Sequence, residues 1–184
     1  MLLFDCEVKQ ILNTLPQSYI DWGMKLIGAD KAWEKYTGKG IKVGIIDTGI
    51  DYFHSDLKDN LIRCKSFIDD TDGFDSNFHG THVAGISCGC NNGTGIVGVA
   101  PEAEIYSAKI FDKNGKTTTT AETKALEWMA EEGVHVVNMS YGGLFPIDIP
   151  GGKESLQKYH DCVKAVANAG VIMVAAAGNA GNPR

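Results

Sequence analysis

Four stretches of the chain, residues 42–46, 105–111, 135–139 and 171–176, are nearly continuous in apolar character rather than alternating. That pattern predicts strands covered on both faces, as in a parallel sheet between helices. Residues 79–88, 120–131 and 153–169 have helical character. In the second, Ala121, Ala125, Leu126, Trp128, Met129 and Ala130 form a stripe near a 3.6-residue period, with Gly133 as a stop; Gly170 plays the same part for the third. Strand, helix, strand alternation predicts an α/β fold: an open, mostly parallel sheet with right-handed crossovers and helices on both faces. In such sheets functional groups gather at the carboxyl ends of strands, so Asp47, Ser140 and Asn179 are expected along one edge. Residues 1–15 precede every sheet element and read as an amino-terminal arm. Residues 59–79, with Asp69, Asp70, Asp72, Gly73 and Asp75, read as an acidic loop.

Composition narrows the class. A chain of 184 residues with 43% hydrophobic and 22% charged content is long enough for one sizeable core, so residues 16–184 are expected to form one domain behind the arm. A formal charge of −6 without a basic stripe gives nucleic acid no electrostatic footing. The start, Met1-Leu2-Leu3-Phe4-Asp5, lacks the basic region of a secretory signal, and no apolar run reaches the ~18 residues of a membrane span. A cytoplasmic protein without a membrane partner is expected. Five cysteines, an odd number at irregular spacing, fit reduced thiols better than a disulfide framework. Gly93-Thr94-Gly95-Ile96-Val97-Gly98 satisfies G-x-G-x-x-G, but it follows a predicted helix and runs into Val99-Ala100-Pro101, so it is not a dinucleotide fingerprint.

The candidate chemistry lies in three blocks: Val43-Gly44-Ile45-Ile46-Asp47-Thr48-Gly49, His79-Gly80-Thr81-His82-Val83-Ala84-Gly85 and Ala175-Ala176-Ala177-Gly178-Asn179. Acyl transfer at neutral pH requires a hydroxyl nucleophile, an imidazole base, a carboxylate that fixes the imidazole tautomer, and donors for the oxyanion. Alone, an Asp-Thr-Gly is an ordinary turn. In this order, the blocks resemble the catalytic Asp, the catalytic His and the oxyanion Asn of the subtilisin-like serine proteases (subtilases, peptidase S8), with most likeness to the intracellular branch. The resemblance covers the chain from about Gln17 onward and implies a subtilisin-like three-layer fold.

It also implies the roles. Asp47 would orient His79, His79 would act as general base and then acid, and Asn179 would donate to the oxyanion. Ser140, Tyr141 and Gly142 would form one substrate-pairing edge and Gly115, Lys116 and Thr117 the other, with a peptide or protein substrate adding a strand between them. His82 is expected to be a packed histidine, since no third ligand completes a zinc site with it. The loop at 90–96 is similar to a subtilisin calcium loop, which implies structural calcium held by carbonyls of Cys90, Thr94 and Ile96 with side chains of Gln17, Asp56 and Asn92.

No serine in the sequence stands in a Gly-Thr-Ser that opens a helix, the form in which the family carries its nucleophile. The domain is therefore expected to be truncated at its carboxyl end. Three explanations stay open: an incomplete gene product, a split enzyme whose serine segment is a separate chain, or a pseudoprotease that binds peptides or another protease and regulates it. Intact Asp, His and Asn blocks favour the first.

Overall fold

The computed structural model describes residues 18–68, 72–143 and 148–179. The predicted arm and Gln17, Asp69 and Asp70 lie outside the described residues. Two short helices come first, α1 (Trp22–Leu26) and α2 (Ala29–Ala32), with Asp21 capping α1 by accepting from the Gly23 N–H. Both are too short to display a helical period, which is why the hydrophobic pattern does not reveal them.

The remaining elements alternate: β1 (Lys42–Asp47), β2 (Leu61–Ser66), α3 (His79–Cys88), β3 (Glu104–Lys109), α4 (Thr119–Glu131), β4 (Val136–Met139), α5 (Gly152–Asn168) and β5 (Ile172–Ala175). The strands form one sheet in the order β2-β3-β1-β4-β5, and every pairing is parallel. This is the open α/β sheet that the alternation predicts. From β1 the chain goes out to the β2 edge, returns with β3 between the two, then crosses to the other side of β1 for β4 and β5. The strand order thus reverses at β1, and the crevice at its carboxyl end is where such sheets place a site.

Two clusters make the layers. On one face, Ile46, Tyr106 and Ala108 pack with Ala125, Leu126 and Met129 of α4 and Val166 of α5. On the other, Ile45 and Ile105 pack with Ala84 and Cys88 of α3 and with Leu57. The neighbours Ile45 and Ile46 are both 0% exposed, the signature of a strand covered on both sides. Thr118 starts α4 by accepting from the Ala121 N–H, which satisfies one of the donors a helix start leaves unpaired.

Two expectations need correction. The acidic loop predicted at 59–79 contains β2, whose Arg63 and Lys65 stand among the exposed positions of a sheet-edge strand. Charges on an edge strand block unwanted pairing, and they also erase the apolar run by which a strand is recognised. The stretch 171–176 does hold β5, but not as a buried strand: Ile172 and Val174 are 61% and 51% exposed, because β5 ends the sheet. Among the described residues no helix is long and apolar enough to cross a membrane. Cys64, Cys88, Cys90 and Cys162 are free thiols, and burial pushes Cys88 up to about 12.

Candidate active site

Asp47 is the last residue of β1 and is 1% exposed. Its Oδ1 accepts from the Thr48 N–H at 2.7 Å and from His79 Nδ1, also at 2.7 Å. Nδ1–H therefore carries the ring's one hydrogen bond to the carboxylate, and Nε2 is the nitrogen able to exchange a proton. The Asp47 hydrogen bond raises the His79 pKa above its ordinary value; burial opposes this, and the charges of Asp47 and Asp75 add to the rise.

His79 is the first residue of α3, so its position depends on where that helix begins. The start is held from β1: the Gly80 N–H donates to Thr48 Oγ1 at 2.9 Å, and the Thr48 hydroxyl donates to Asp75 Oδ1 at 2.8 Å. Asp75 also accepts from the N–H groups of Asn77, Phe78 and Thr81 and from the Thr81 hydroxyl. These bonds satisfy orphan donors of the helix start and set its direction. Gly80 is required sterically, since a Cβ there would overlap the Gly49 carbonyl oxygen. Lys109, 1% exposed, donates from Nζ to the Thr48 carbonyl and to Ser76 Oγ. Burial lowers its pKa, while Asp75, Asp112, Asp47 and Asp72 counteract.

Neither Asp75 nor Lys109 stands out as a site residue in the sequence. The signal for Lys109 is a lone charge inside the apolar run 105–111. For Asp75 it is an acidic residue just before a helix that opens on His. His82 is exposed rather than packed, because the α3 face it occupies turns outward.

The two predicted substrate edges line one cavity of about 740 Å³: Gly115, Lys116 and Thr117 on one side, Tyr141 and Gly142 on the other. Asp112 shapes the first by accepting at Oδ1 from the Asn114 and Lys116 N–H groups. In the second, the Asn138 side chain donates to Ser140 Oγ at 2.8 Å, and the Tyr141 ring packs edge-on against Phe111 at 5.3 Å. Among the described residues, no backbone hydrogen bond engages Thr117, Ser140 or Gly142. Asn179 lies four residues beyond the end of β5 at Ala175 and is exposed.

A match to the subtilase family (peptidase S8) covers residues 38–184, all of the sheet and each of the three blocks. The chain belongs to that family. It is 41% identical over 165 residues to subtilisin DY of Bacillus licheniformis, covering 89% of this chain and 56% of that protein. It is 39% identical over 178 residues to the major intracellular serine protease of Bacillus subtilis, covering 93% and 51%. The intracellular serine protease of Paenibacillus polymyxa is 35% identical over 179 residues, with 95% and 51% covered. This subtilase chain thus spans about half the length of the curated relatives it matches.

The loop after α3 is clamped by the segment that follows Gln17. Tyr19 pairs with it through Tyr19 N–H to Gly95 O and Val97 N–H to Tyr19 O, and Ser18 Oγ bridges Thr94 O and Gly93 N–H. At its centre is Asp56, 2% exposed, which accepts from Asn92 Nδ2 and Ser55 Oγ at Oδ1 and from the Ile96 N–H at Oδ2. Among the described residues no cationic side chain pairs with this carboxylate. Asn92 turns its own oxygen to the Thr94 N–H and hydroxyl.

Proposed function

We propose that this chain forms the acid–base and peptide-binding half of a serine endopeptidase. The observation that carries the reading is the 2.7 Å bond between Asp47 and His79 at the strand where the sheet order reverses. Asp47 would hold the His79 tautomer and stabilise the imidazolium. Nε2 would take the proton of a serine hydroxyl as that oxygen attacks the scissile carbonyl, then return it to the leaving amine. Asn179 would donate its carboxamide N–H to the oxyanion; in subtilisin such a donor is worth ~10²–10³ in turnover. The substrate backbone would add a strand between 115–117 and 140–142, and the unengaged backbone groups of Thr117, Ser140 and Gly142 support that pairing. The serine is to come from outside these 184 residues, in a continuation of the polypeptide or a separate chain.

The test is to supply that serine segment, in cis or by co-expression, and measure hydrolysis of a chromogenic peptide. His79→Ala is expected to reduce turnover by at least ~10²–10⁴-fold, the worth of a positioned base. Activity that survives His79→Ala overturns the reading. A folded, completed protein that binds peptide without cleaving it would point instead to a regulatory pseudoprotease.

Structural calcium at the Asp56 loop is the second part of the reading. A buried carboxylate without a cationic partner is costly, and a divalent ion would neutralise it. Asp56, the 90–96 carbonyls and Gln17 would hold it, with Asn92 contributing oxygen only if its carboxamide leaves Thr94. Calcium is expected to raise the melting temperature of the chain, and Asp56→Asn to remove that response. A wild-type melting curve unmoved by millimolar calcium would refute it.

A further inference from the structure

The cavity between the two edges has an acidic wall. Glu122 is the fourth residue of α4, is 9% exposed and lines the cavity, and no cation pairs with it among the described residues. Thr117 Oγ1 and the Tyr141 hydroxyl line the same cavity, and both are buried atoms without a hydrogen-bond partner. Tyr141 stands beside Glu122 without reaching hydrogen-bond geometry, and Tyr159 contributes a second phenol to the wall. Burial raises the Glu122 pKa, and the neighbouring phenols work against that rise. Around this carboxylate, which among the described residues has phenol neighbours but no cation, Thr117 Oγ1 and the Tyr141 hydroxyl are two oxygens able to accept that the fold leaves unpaired. An ammonium or guanidinium group has only donors and would engage all three.

We propose that this cavity is a specificity subsite for a lysine or arginine side chain of the bound peptide, with Glu122 as its charge partner and Thr117 and Tyr141 as acceptors beside it. The inference rests on the peptide-cleft reading above, and adds to it a chemical preference that the two edges alone do not provide. Backbone pairing along 115–117 and 140–142 would tolerate any sequence, whereas a buried carboxylate discriminates by charge. Among the described residues Lys116 is the one lining cation, and it is exposed rather than paired with Glu122.

The structural alternative is that Glu122 only ties α4 to the tyrosines. Glu122→Gln separates the two, because glutamine keeps the shape and an acceptor oxygen but loses the charge. Blocked hexapeptides carrying arginine, lysine, norleucine or glutamate at each position in turn would be titrated calorimetrically into the 184-residue chain. At one position, arginine or lysine is expected to bind about tenfold tighter than norleucine, as a desolvated charge-assisted pair allows. In Glu122→Gln this ratio should fall to about twofold or less. Should that variant not fold, the wild-type Glu122 carboxyl carbon resonance is read instead. It should move with the arginine peptide and stay fixed with the norleucine peptide. Peptides that bind with no cationic preference, a preference that survives Glu122→Gln, or an unmoved resonance overturn the subsite and leave the cleft standing. Failure of every peptide to bind overturns both. Agmatine, tested alone, should bind far more weakly than the arginine peptide; equal affinity would make the cavity a small-cation site and reject the proposal.

Discussion

At the scale of single residues, the decisive interaction is Asp47 with His79, and its pH dependence has a definite sign. The Asp47 hydrogen bond, assisted by the charges of Asp47 and Asp75, raises the His79 pKa against the opposing effect of burial. A histidine raised on folding contributes stability that is fully present below its ordinary value, ~6.5, and is lost as pH rises through the raised folded value. A proton NMR titration of the imidazole should find the His79 midpoint above that of a free histidine. Asp47→Asn removes the largest cause and leaves burial, so the midpoint should fall. An Asp47→Asn titration that matches wild type would mean that the carboxylate does not control the ring. The same sign bears on catalysis: a completed enzyme needs His79 neutral, so turnover should climb as pH passes through that midpoint.

At the scale of elements, α3 is placed by its first turn. Its two glycines look alike in the sequence, and both could be read as close backbone approaches. In the structure they differ: a Cβ on Gly80 would overlap the Gly49 carbonyl oxygen, whereas a Cβ on Gly85 would meet only the tip of the Ile96 side chain at 3.3 Å. Alanine gains ~0.5–1 kcal/mol over glycine from helix propensity at either position. Against a fixed backbone the overlap costs about 1–3 kcal/mol, so it wins at Gly80; against a flexible methyl it does not. Urea unfolding should therefore show Gly80→Ala destabilised and Gly85→Ala neutral or slightly stabilised. Equal effects at both sites would refute this account of the helix start.

The same element shows what a sequence reveals and what it hides. The span of α3 and the strands β1, β3 and β4 follow from apolar runs and glycine-flanked motifs, which report burial and tight turns directly, whereas the pairing of Asp47 with His79 follows from the resemblance of their blocks to those of the subtilases. β2 does not, because an exposed edge strand carries Arg63 and Lys65 where a buried strand would be apolar. Asp75 was legible only as one acid among several in a loop. Its role comes from five hydrogen bonds to groups at positions 48, 77, 78 and 81, a convergence that no local pattern encodes. Glu122 falls in the same class: on the helical stripe it is an unremarked polar position, and only the packing of α4 against Tyr141 and Tyr159 makes it the wall of a cavity.

At the scale of the whole molecule, the sheet is asymmetric. Its β2 edge carries Arg63 and Lys65, and charges on an edge resist the addition of another strand. Its β5 edge is apolar: Ile172 and Val174 are exposed, and among the described residues β5 pairs with β4 alone, with Val174 opposite Asn138. An exposed edge of that kind, with no lysine or proline in Ile172–Ala175, is a template for strand addition. This chain is therefore expected to self-associate as its concentration rises, through β5 rather than β2. Val174→Lys places a charge on the apolar edge at a position already facing solvent, so the fold should tolerate it. Sedimentation velocity over a concentration series should show wild type shifting to larger species and Val174→Lys staying monomeric, with unchanged circular dichroism. If wild type stays monomeric throughout, or if Ile62→Lys on β2 suppresses association as well as Val174→Lys does, then β5 is not the adhesive edge. The dominant contact must then be sought in the other exposed apolar side chains, of which Trp22, Leu26 and Ile27 lie together on and just after α1.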